Sequence, residues 1–160
     1  MESLIAEARR RGIDVEYVII SALSKAMGAD PAEEAKAHMA LSERYLQEAA
    51  ALEDPVQAAE KAYKAFEEAV KAAAVKLGME EARLAEREGR WKASLFFSAV
   101  RKLERELGVE FRLAAREAWF LHVEGFHEAR LSLDEVREGL AYVKRGVELV
   151  ARLLGGDGSA

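Results

Sequence analysis

The chain has 160 residues, of which 51% are hydrophobic and 33% are charged, and its net charge is −5 at pH 7. This length suits one domain with a substantial core. The net negative charge argues against nucleic-acid binding by the protein surface taken as a whole. Since the chain has no cysteine, disulfides, thiolate nucleophiles and cysteine-based zinc sites are excluded. No run of 18 apolar residues and no signal-like N-terminus is present, so we expect a cytoplasmic protein that does not enter a membrane.

The residue composition and the distribution of charge are both uneven. The chain lacks Asn and Thr and has only Gln47 and Gln57, which is typical of thermophilic proteins, although a GC-rich genome would have a similar effect. Residues 30–68 hold ten acids and four bases, whereas residues 87–116 hold eight bases and four acids. A polyanion would therefore bind the second half of the chain, the alternative being that both segments are solvated helix faces.

Two short helices are predicted at the start of the chain. The first covers residues 3–11 and ends at Gly12, because glycine readily adopts the backbone conformation that terminates a helix. The second follows Asp14, a candidate N-cap, and continues to about residue 27. Its apolar stripe includes Ile19 and Leu23, so we expect that stripe to face the core.

Two long helices follow, and each begins at an Asp-Pro pair, at residues 30–31 and 54–55. Aspartate caps free backbone N–H groups, and proline fits the first helical position. The helices should cover residues 31–52 and 55–77. The turn between them is so short that they must lie antiparallel as a hairpin.

The second helix of this hairpin has an alanine-rich apolar face that allows close approach of its neighbours. Its charged residues include Glu60 and Lys64, and also Glu67 and Lys71, which have the spacing of ion pairs along one helix. Such pairs at i and i+4 stabilise a helix modestly.

The next segments are less regular. Residues 79–89 are charged and weakly periodic, so they form either a short helix or a connector. Residues 90–107 predict a helix with two apolar edges, one of which contains Trp91 and Leu95. Such a helix is buried on two sides or meets a partner chain.

Residues 111–131 predict one long helix around which we expect the rest of the chain to pack. On a regular helix, one apolar stripe includes Phe111, Ala118 and His122. A second stripe is basic. Its charged members and its histidine are Arg112, Arg116, His127 and Arg130.

The last helix begins at a capping box formed by Ser132 and Glu135. Its apolar residues then follow the 3-4 spacing of a bundle seam: Val136, Leu140, Val143, Val147, Val150 and Leu154. Residues 155–160 predict a disordered tail. No segment has the alternation of a strand. The sequence therefore predicts an all-α, antiparallel up-and-down helix bundle of about six to seven helices, as a single domain over residues 1–154.

Five stretches, in chain order, carry a resemblance to a known family: RGIDVEYVIISAL, DPAEEAKAHMALSERYLQEAAAL, QAAEKAYKAFEEAVKAAA, GRWKASL and AWFLHVEGFHEARLS. Together they resemble the archaeal PaREP family over about residues 10–150. That family is assigned to the HEPN-like superfamily of helical bundles. The resemblance implies a HEPN-like bundle, often dimeric and associated with nucleotides or RNA, without an assigned molecular function.

The ribonuclease branch of that superfamily uses an Arg followed four to six residues later by a His. Arg116 and His122 meet this spacing, so the resemblance implies His122 as general acid or base and Arg116 as phosphate ligand. Two features depart from the pattern. Glu117 follows the arginine where a small polar residue is usual, and its charge would repel phosphate. On a regular helix the pair also lies about 120° apart, so it would converge only across a dimer interface or at a helix irregularity.

No metal site or cofactor is predicted. His122 and His127 are five residues apart rather than the four that bring two ligands together on an α-helix, and His38 is isolated. His122 is also interpretable as a core or interface histidine. Trp91 and Trp119 are interpreted as packing residues rather than stacking platforms for bases.

We therefore predict a homodimeric protein without catalytic activity that binds a nucleotide or RNA. The predicted ligand contacts are Arg112, Arg116, His127 and Arg130. One alternative is a metal-independent ribonuclease of toxin type that uses Arg116 and His122. Another is a protein–protein interaction module that uses the two-sided apolar helix near Trp91.

Overall fold

The computed structural model describes residues 2–155, and the regular structure in that range is entirely helical. It consists of eight α-helices and one π-helical segment: α1 (Glu2–Arg10), α2 (Val15–Met27), α3 (Pro31–Ala51), α4 (Pro55–Lys76), α5 (Glu80–Glu88), α6 (Ala93–Leu107), α7 (Val109–Phe120), the π-helical segment (Leu121–His127) and α8 (Leu133–Gly155). The predicted all-α bundle is confirmed. The helix count exceeds six to seven because residues 80–88 form a helix. Gly155 ends α8, and the tail predicted beyond it lies outside the described residues.

Local side-chain caps begin the helices where the sequence predicts them. Asp14 accepts a hydrogen bond from the backbone N–H of Tyr17 at 3.0 Å, and Asp30 accepts one from Glu33 at 2.9 Å. Ser132 and Glu135 exchange the two hydrogen bonds of a capping box, at 3.1 and 3.2 Å. These caps satisfy N–H groups that have no partner inside the helix.

The centre of the bundle is α4, which packs against α3, α8 and the π-helical segment. Its alanines are fully buried, and so are Phe66 and Val70. Phe66 contacts the rings of Phe96 from α6 and Phe111 from α7, with ring centroids 6.1 and 5.3 Å apart. The expectation that the chain packs around residues 111–131 is thus wrong. The alanine-rich helix takes the centre because small side chains let several neighbours approach its backbone.

The long helix predicted over residues 111–131 changes its winding after Phe120 and ends early. Residues 121–127 are π-helical, and the N–H of Glu128 donates to the carbonyl of Val123, five residues back, at 2.9 Å. Ala129 then has a left-handed φ of 53°, a conformation that commonly ends helices. Because π-helices pair residues five apart, side chains with that spacing come to the same side.

The N-terminal helices are less buried than the rest. No residue of α1 is buried, and Val15 and Tyr17 are the buried residues of α2. Ile19 and Leu23, which the sequence places on a core-facing stripe, are 45% and 56% exposed. Among residues 2–155, no helix has both the length and the apolar character needed to cross a membrane.

Candidate functional site

A cavity of about 750 Å³ opens between the loop before α2, the helix α4, the loop before α6 and the π-helical segment. This volume falls within the usual range for small-molecule sites, about 300–1000 Å³. The lining is rich in charged and aromatic residues: Arg9, Asp14, Glu16, Tyr45, Glu60, Lys64, Glu67, Glu68, Arg90, Trp91, Lys92, His122, Phe126 and His127. The cavity therefore unites residues that lie far apart in the sequence, from Arg9 to His127.

One wall of the cavity carries Glu60, His122 and His127, which contact one another in that order. Glu60 Oε2 lies 3.0 Å from Nδ1 of His122, and the Nε2 atoms of the two histidines are 3.1 Å apart. Since a carboxylate only accepts, Nδ1 of His122 carries the proton, and a neutral His122 presents Nε2 as an unprotonated acceptor. Tyr63 stacks on the ring of His122 with centroids 4.1 Å apart. His122 is thus held in one orientation and one tautomer.

The floor of the cavity is an ion cluster centred on Lys71. Its side chain is fully buried, and its ammonium pairs with Asp14, with Glu68 at 3.0 Å and with Glu67 at 3.3 Å. His38, also fully buried, donates from Nδ1 to Glu68 at 2.7 Å. The three carboxylates lie close enough to share one cation, and Lys71 supplies that positive charge.

The pKa values of this cluster follow from burial and from Lys71. Burial by itself raises the pKa of the Asp14 carboxyl, but the charge and hydrogen bond of Lys71 outweigh it and hold the pKa below 3.8. Burial likewise raises the pKa of Glu68, and Lys71 with His38 brings it below 4.5. Burial lowers the pKa of Lys71, yet the carboxylates around it raise the pKa well above 10.5. Glu67 differs from the other two acids, because burial raises the pKa of its carboxyl above 4.5 despite the charge of Lys71. Asp14, Glu68 and Lys71 are therefore the members whose pKa values favour the ionised form at neutral pH.

The rim of the cavity carries two cations without an acidic partner. Arg9 pairs with Glu16 at 2.6 Å. Within the described part of the chain, Lys64 and Arg90 form no ion pair, and the expected pair of Lys64 with Glu60 is not made. Burial raises the pKa of Tyr45 to about 12, so its hydroxyl remains protonated at neutral pH.

The structure brings together two of the predicted site residues, His122 and His127. The prediction that five-residue spacing keeps these histidines apart is wrong, because the π-helical winding places them on one side. The three arginines do not line this cavity. Arg116 is exposed on α7; Arg112 pairs with Glu104 at 3.4 Å, and Arg130 pairs with two nearby glutamates.

Sequence reasoning missed the cavity residues on other elements. The spacing of Glu60 and Lys64 predicts only an ion pair along one helix, and Arg90 is only one base of the basic segment 87–116. One available signal was Lys71, which lies near the alanine-rich face of α4 together with Glu67 and Glu68. When residues of opposite charge lie together beside the apolar face of a helix, they indicate a buried ion-pair network.

These features define an all-helical bundle protein with a polar, histidine-containing cavity. Residues 32–147 match the profile of the Archaeal PaREP1/PaREP8 family, and the chain belongs to that family. The match includes the cavity residues of α3, α4 and the π-helical segment, and leaves α1 and α2 outside. The resemblance seen in the sequence is thereby confirmed at the level of the family.

A solved structure supports the same relationship. The crystal structure of a protein from Sulfolobus solfataricus is similar to this chain, with 36% sequence identity and a TM-score of 0.58. The similarity covers 75% of this chain and 95% of the other. No curated protein matches the chain significantly.

Proposed function

We propose that this protein is a HEPN-like bundle that binds the phosphate of a nucleotide or RNA in the cavity, as a homodimer and without catalysis. The observation that carries the proposal is the pair of cations, Lys64 and Arg90, left without acidic partners at the rim. The acids of the floor pair with Lys71 and not with Lys64 or Arg90, so the two rim cations are available to an anion.

The chemistry of the rim suits a phosphate with an attached base. Arginine offers a planar fork of donors that matches phosphate oxygens, and lysine adds a compact charge. Trp91, Tyr45 and Phe126 provide aromatic surface on the same cavity, and bases stack on such rings without strong sequence preference.

The experiment compares two candidate surfaces. Wild type, Lys64→Ala, Arg90→Ala, Arg112→Ala and Arg116→Ala are titrated with labelled single-stranded RNA and with AMP across a range of salt concentrations. If the cavity binds, the first two variants weaken binding and reduce the slope of log Kd against log salt by about 1 each. Arg112→Ala serves as the matched control, because Arg112 lies outside the cavity.

The opposite pattern would favour the basic stripe predicted from the sequence. In that case Arg112→Ala and Arg116→Ala weaken binding and the cavity variants leave it unchanged. If neither RNA nor AMP binds to wild type or raises its melting temperature, the proposed function is rejected.

The homodimer is supported by apolar surface that the single chain leaves uncovered. Ile19 and Leu23 lie four residues apart on α2 and are about half exposed, and a second copy would bury them. Sedimentation velocity should give a dimer for wild type and a monomer for Leu23→Glu. Leu113→Glu, at an exposed leucine of α7, should remain dimeric. A monomeric wild type at tens of micromolar would end this part of the proposal.

The Glu60–His122 hydrogen bond also favours a second candidate, a metal-independent ribonuclease. A carboxylate that fixes the tautomer of a histidine is a common arrangement for a general base. Incubation with total tRNA in EDTA tests it: cleavage by wild type but not by folded His122→Ala or Arg116→Ala would identify a nuclease. We favour binding, because Nε2 of His122 already contacts His127 and Arg116 lies outside the cavity.

A further inference from the structure

We propose that Nε2 of His122 and Nε2 of His127 form a binding site for a divalent transition-metal ion of the Zn²⁺ or Ni²⁺ class. The site faces the cavity, and water or an anionic ligand completes the coordination. It does not depend on the proposed phosphate ligand, since it consists of protein groups that attract a metal by themselves.

The distance between the two nitrogens fits a shared ion. They are 3.1 Å apart. With metal–nitrogen bonds of about 2.0–2.1 Å, this separation gives a nitrogen–metal–nitrogen angle of about 100°. That value lies between the right angle of octahedral coordination and the tetrahedral angle. The protein thus holds two imidazole ligands at the separation that a single ion requires.

The orientation of the rings supports an ion better than a direct bond between the histidines. A head-on N–H···N bond of this length would separate the ring centroids by about 5.4 Å, the N···N distance plus the two distances from nitrogen to ring centre. The observed separation is 4.5 Å, with the rings at 81°. At least one nitrogen is therefore directed away from the line that joins the pair, as expected when both face a third atom.

Glu60 has the position of an outer-shell partner. Metal-binding histidines usually donate their second ring N–H to a carboxylate, which orients the ring and strengthens the ligand. Nδ1 of His122 does so to Glu60 at 3.0 Å, and Tyr63 covers one face of the ring. The imidazole of His122 is therefore already oriented before a metal ion binds.

The π-helical winding is the device that creates this site. In an α-helix, residues five apart diverge, whereas a π-helix brings them together. Gly125, between the histidines, lies so close to α4 that an added Cβ would be 2.5 Å from Cβ of Ala59. This contact fixes the π-helical segment against the helix that carries Glu60.

The acidic group formed by Asp14, Glu67 and Glu68 is a poorer place for the ion. Their oxygens lie near one another, but the buried ammonium of Lys71 pairs with all three. A metal there would displace Lys71 into a buried position without a partner. The histidine pair has no such competitor among the described residues.

The test uses untagged protein that has been treated with EDTA and dialysed. Calorimetric titration with ZnCl₂ alone should show one equivalent per chain. Zn²⁺ should shift the imidazole ¹⁵N signals of His122 and His127 and leave those of His38 unchanged. His127→Ala, at an exposed residue, should raise Kd by about 100-fold or more through loss of a ligand, and Glu60→Gln by about 10-fold.

Glu128→Ala is the control, since it changes an exposed side chain next to His127 and should leave Kd unchanged. Circular dichroism in EDTA confirms that each variant is folded. Absence of Zn²⁺ and Ni²⁺ binding, binding that His127→Ala retains, or shifts at His38 instead of the pair would overturn the proposal. Because no nucleotide is present, failure here leaves the phosphate proposal to its own titration.

Discussion

Lys71 lies in the C-terminal half of α4 with its side chain fully buried, and three carboxylates surround its ammonium. Removal of an ammonium from water is costly, so the cluster adds little net stability compared with a well-packed apolar core. Its members nevertheless depend on one another. The cluster connects Asp14, the cap of α2, to α4, and His38 extends it to α3.

Substitution of Lys71 by methionine should lower the free energy of unfolding by about 3–5 kcal/mol at pH 7, because buried carboxylates lose their counter-ion. Urea denaturation measures the change. Lys36→Met, at an exposed lysine of α3, should change stability by less than about 0.5 kcal/mol. A loss below 1 kcal/mol for Lys71→Met would contradict the role given to the ammonium.

The same cluster predicts how stability depends on pH. The pKa values of Asp14 and Glu68 are lowered in the folded protein, so their stabilising contribution is complete above the ordinary values of 3.8 and 4.5. It is lost as the pH falls through the lowered folded pKa values. Glu67 acts in the opposite direction, because burial raises the pKa of its carboxyl and its protonation therefore begins at a higher pH. Below about pH 4.5, where Asp14 and Glu68 begin to lose their contribution, wild type should lose stability.

Lys71→Met should show the reverse trend between pH 7 and pH 5. Without the ammonium, burial raises the carboxyl pKa values, and protonation then relieves the repulsion. Urea midpoints of both proteins at pH 7, 5 and 3 provide the comparison. Parallel pH profiles would show that the lysine does not control these carboxyls.

Among the secondary-structure elements, the π-helical segment determines how the two histidines are arranged in the cavity. It places His122 against Glu60 and His127 against His122. Its contact with α4 depends on the absence of a side chain at residue 125, as the 2.5 Å approach to Ala59 shows. A helix with regular winding would carry the same residues and separate the histidines.

Gly125→Ala should destabilise the protein by about 1–3 kcal/mol through overpacking against Ala59. The direction of the change in stability is informative, because Gly→Ala in a helix with free space around the residue stabilises by about 0.5–1 kcal/mol. Gly155→Ala is the matched control, since nothing lies within 4 Å of its added Cβ. Thermal melts of both variants decide the point; equal or greater stability of Gly125→Ala would show that the segment can move away from α4 without cost.

At the scale of the whole molecule, one core joins α4 to α3, α6, α7, α8 and the π-helical segment. Phe66 lies at its centre between Phe96 and Phe111. A core that is shared by so many elements should unfold in one transition. The N-terminal helices contribute less to it, which agrees with their exposed apolar residues.

Phe66→Ala should lower the free energy of unfolding by about 3–5 kcal/mol, because it leaves a cavity where several helices meet. Phe120→Ala makes the same chemical change at a ring that is 44% exposed and should cost clearly less. Chemical denaturation with an unchanged m-value would confirm that only the native core has been weakened. Similar losses at both positions would contradict a core centred on Phe66.

Local signals in the sequence are enough to predict most of the helices and where they begin. The caps at Asp14, Asp30 and Ser132 act within three residues, so their effect is readable without a fold. Apolar periodicity also placed most of the α8 seam correctly: Val136, Val143, Val147 and Val150 are buried, although Leu140 and Leu154 are only partly so. Such signals are local, and local energetics decide them.

Packing between elements sets the winding of residues 121–127, the burial of Lys71 and the contact of Glu60 with His122, and no local pattern predicts them. The π-helical turn forms where the segment packs closely on α4, which no pattern within the segment reports. Lys71 is buried because carboxylates from two elements compensate its charge. Each outcome depends on groups far apart in the chain, and the free energy of contacts between elements settles what local propensity leaves open.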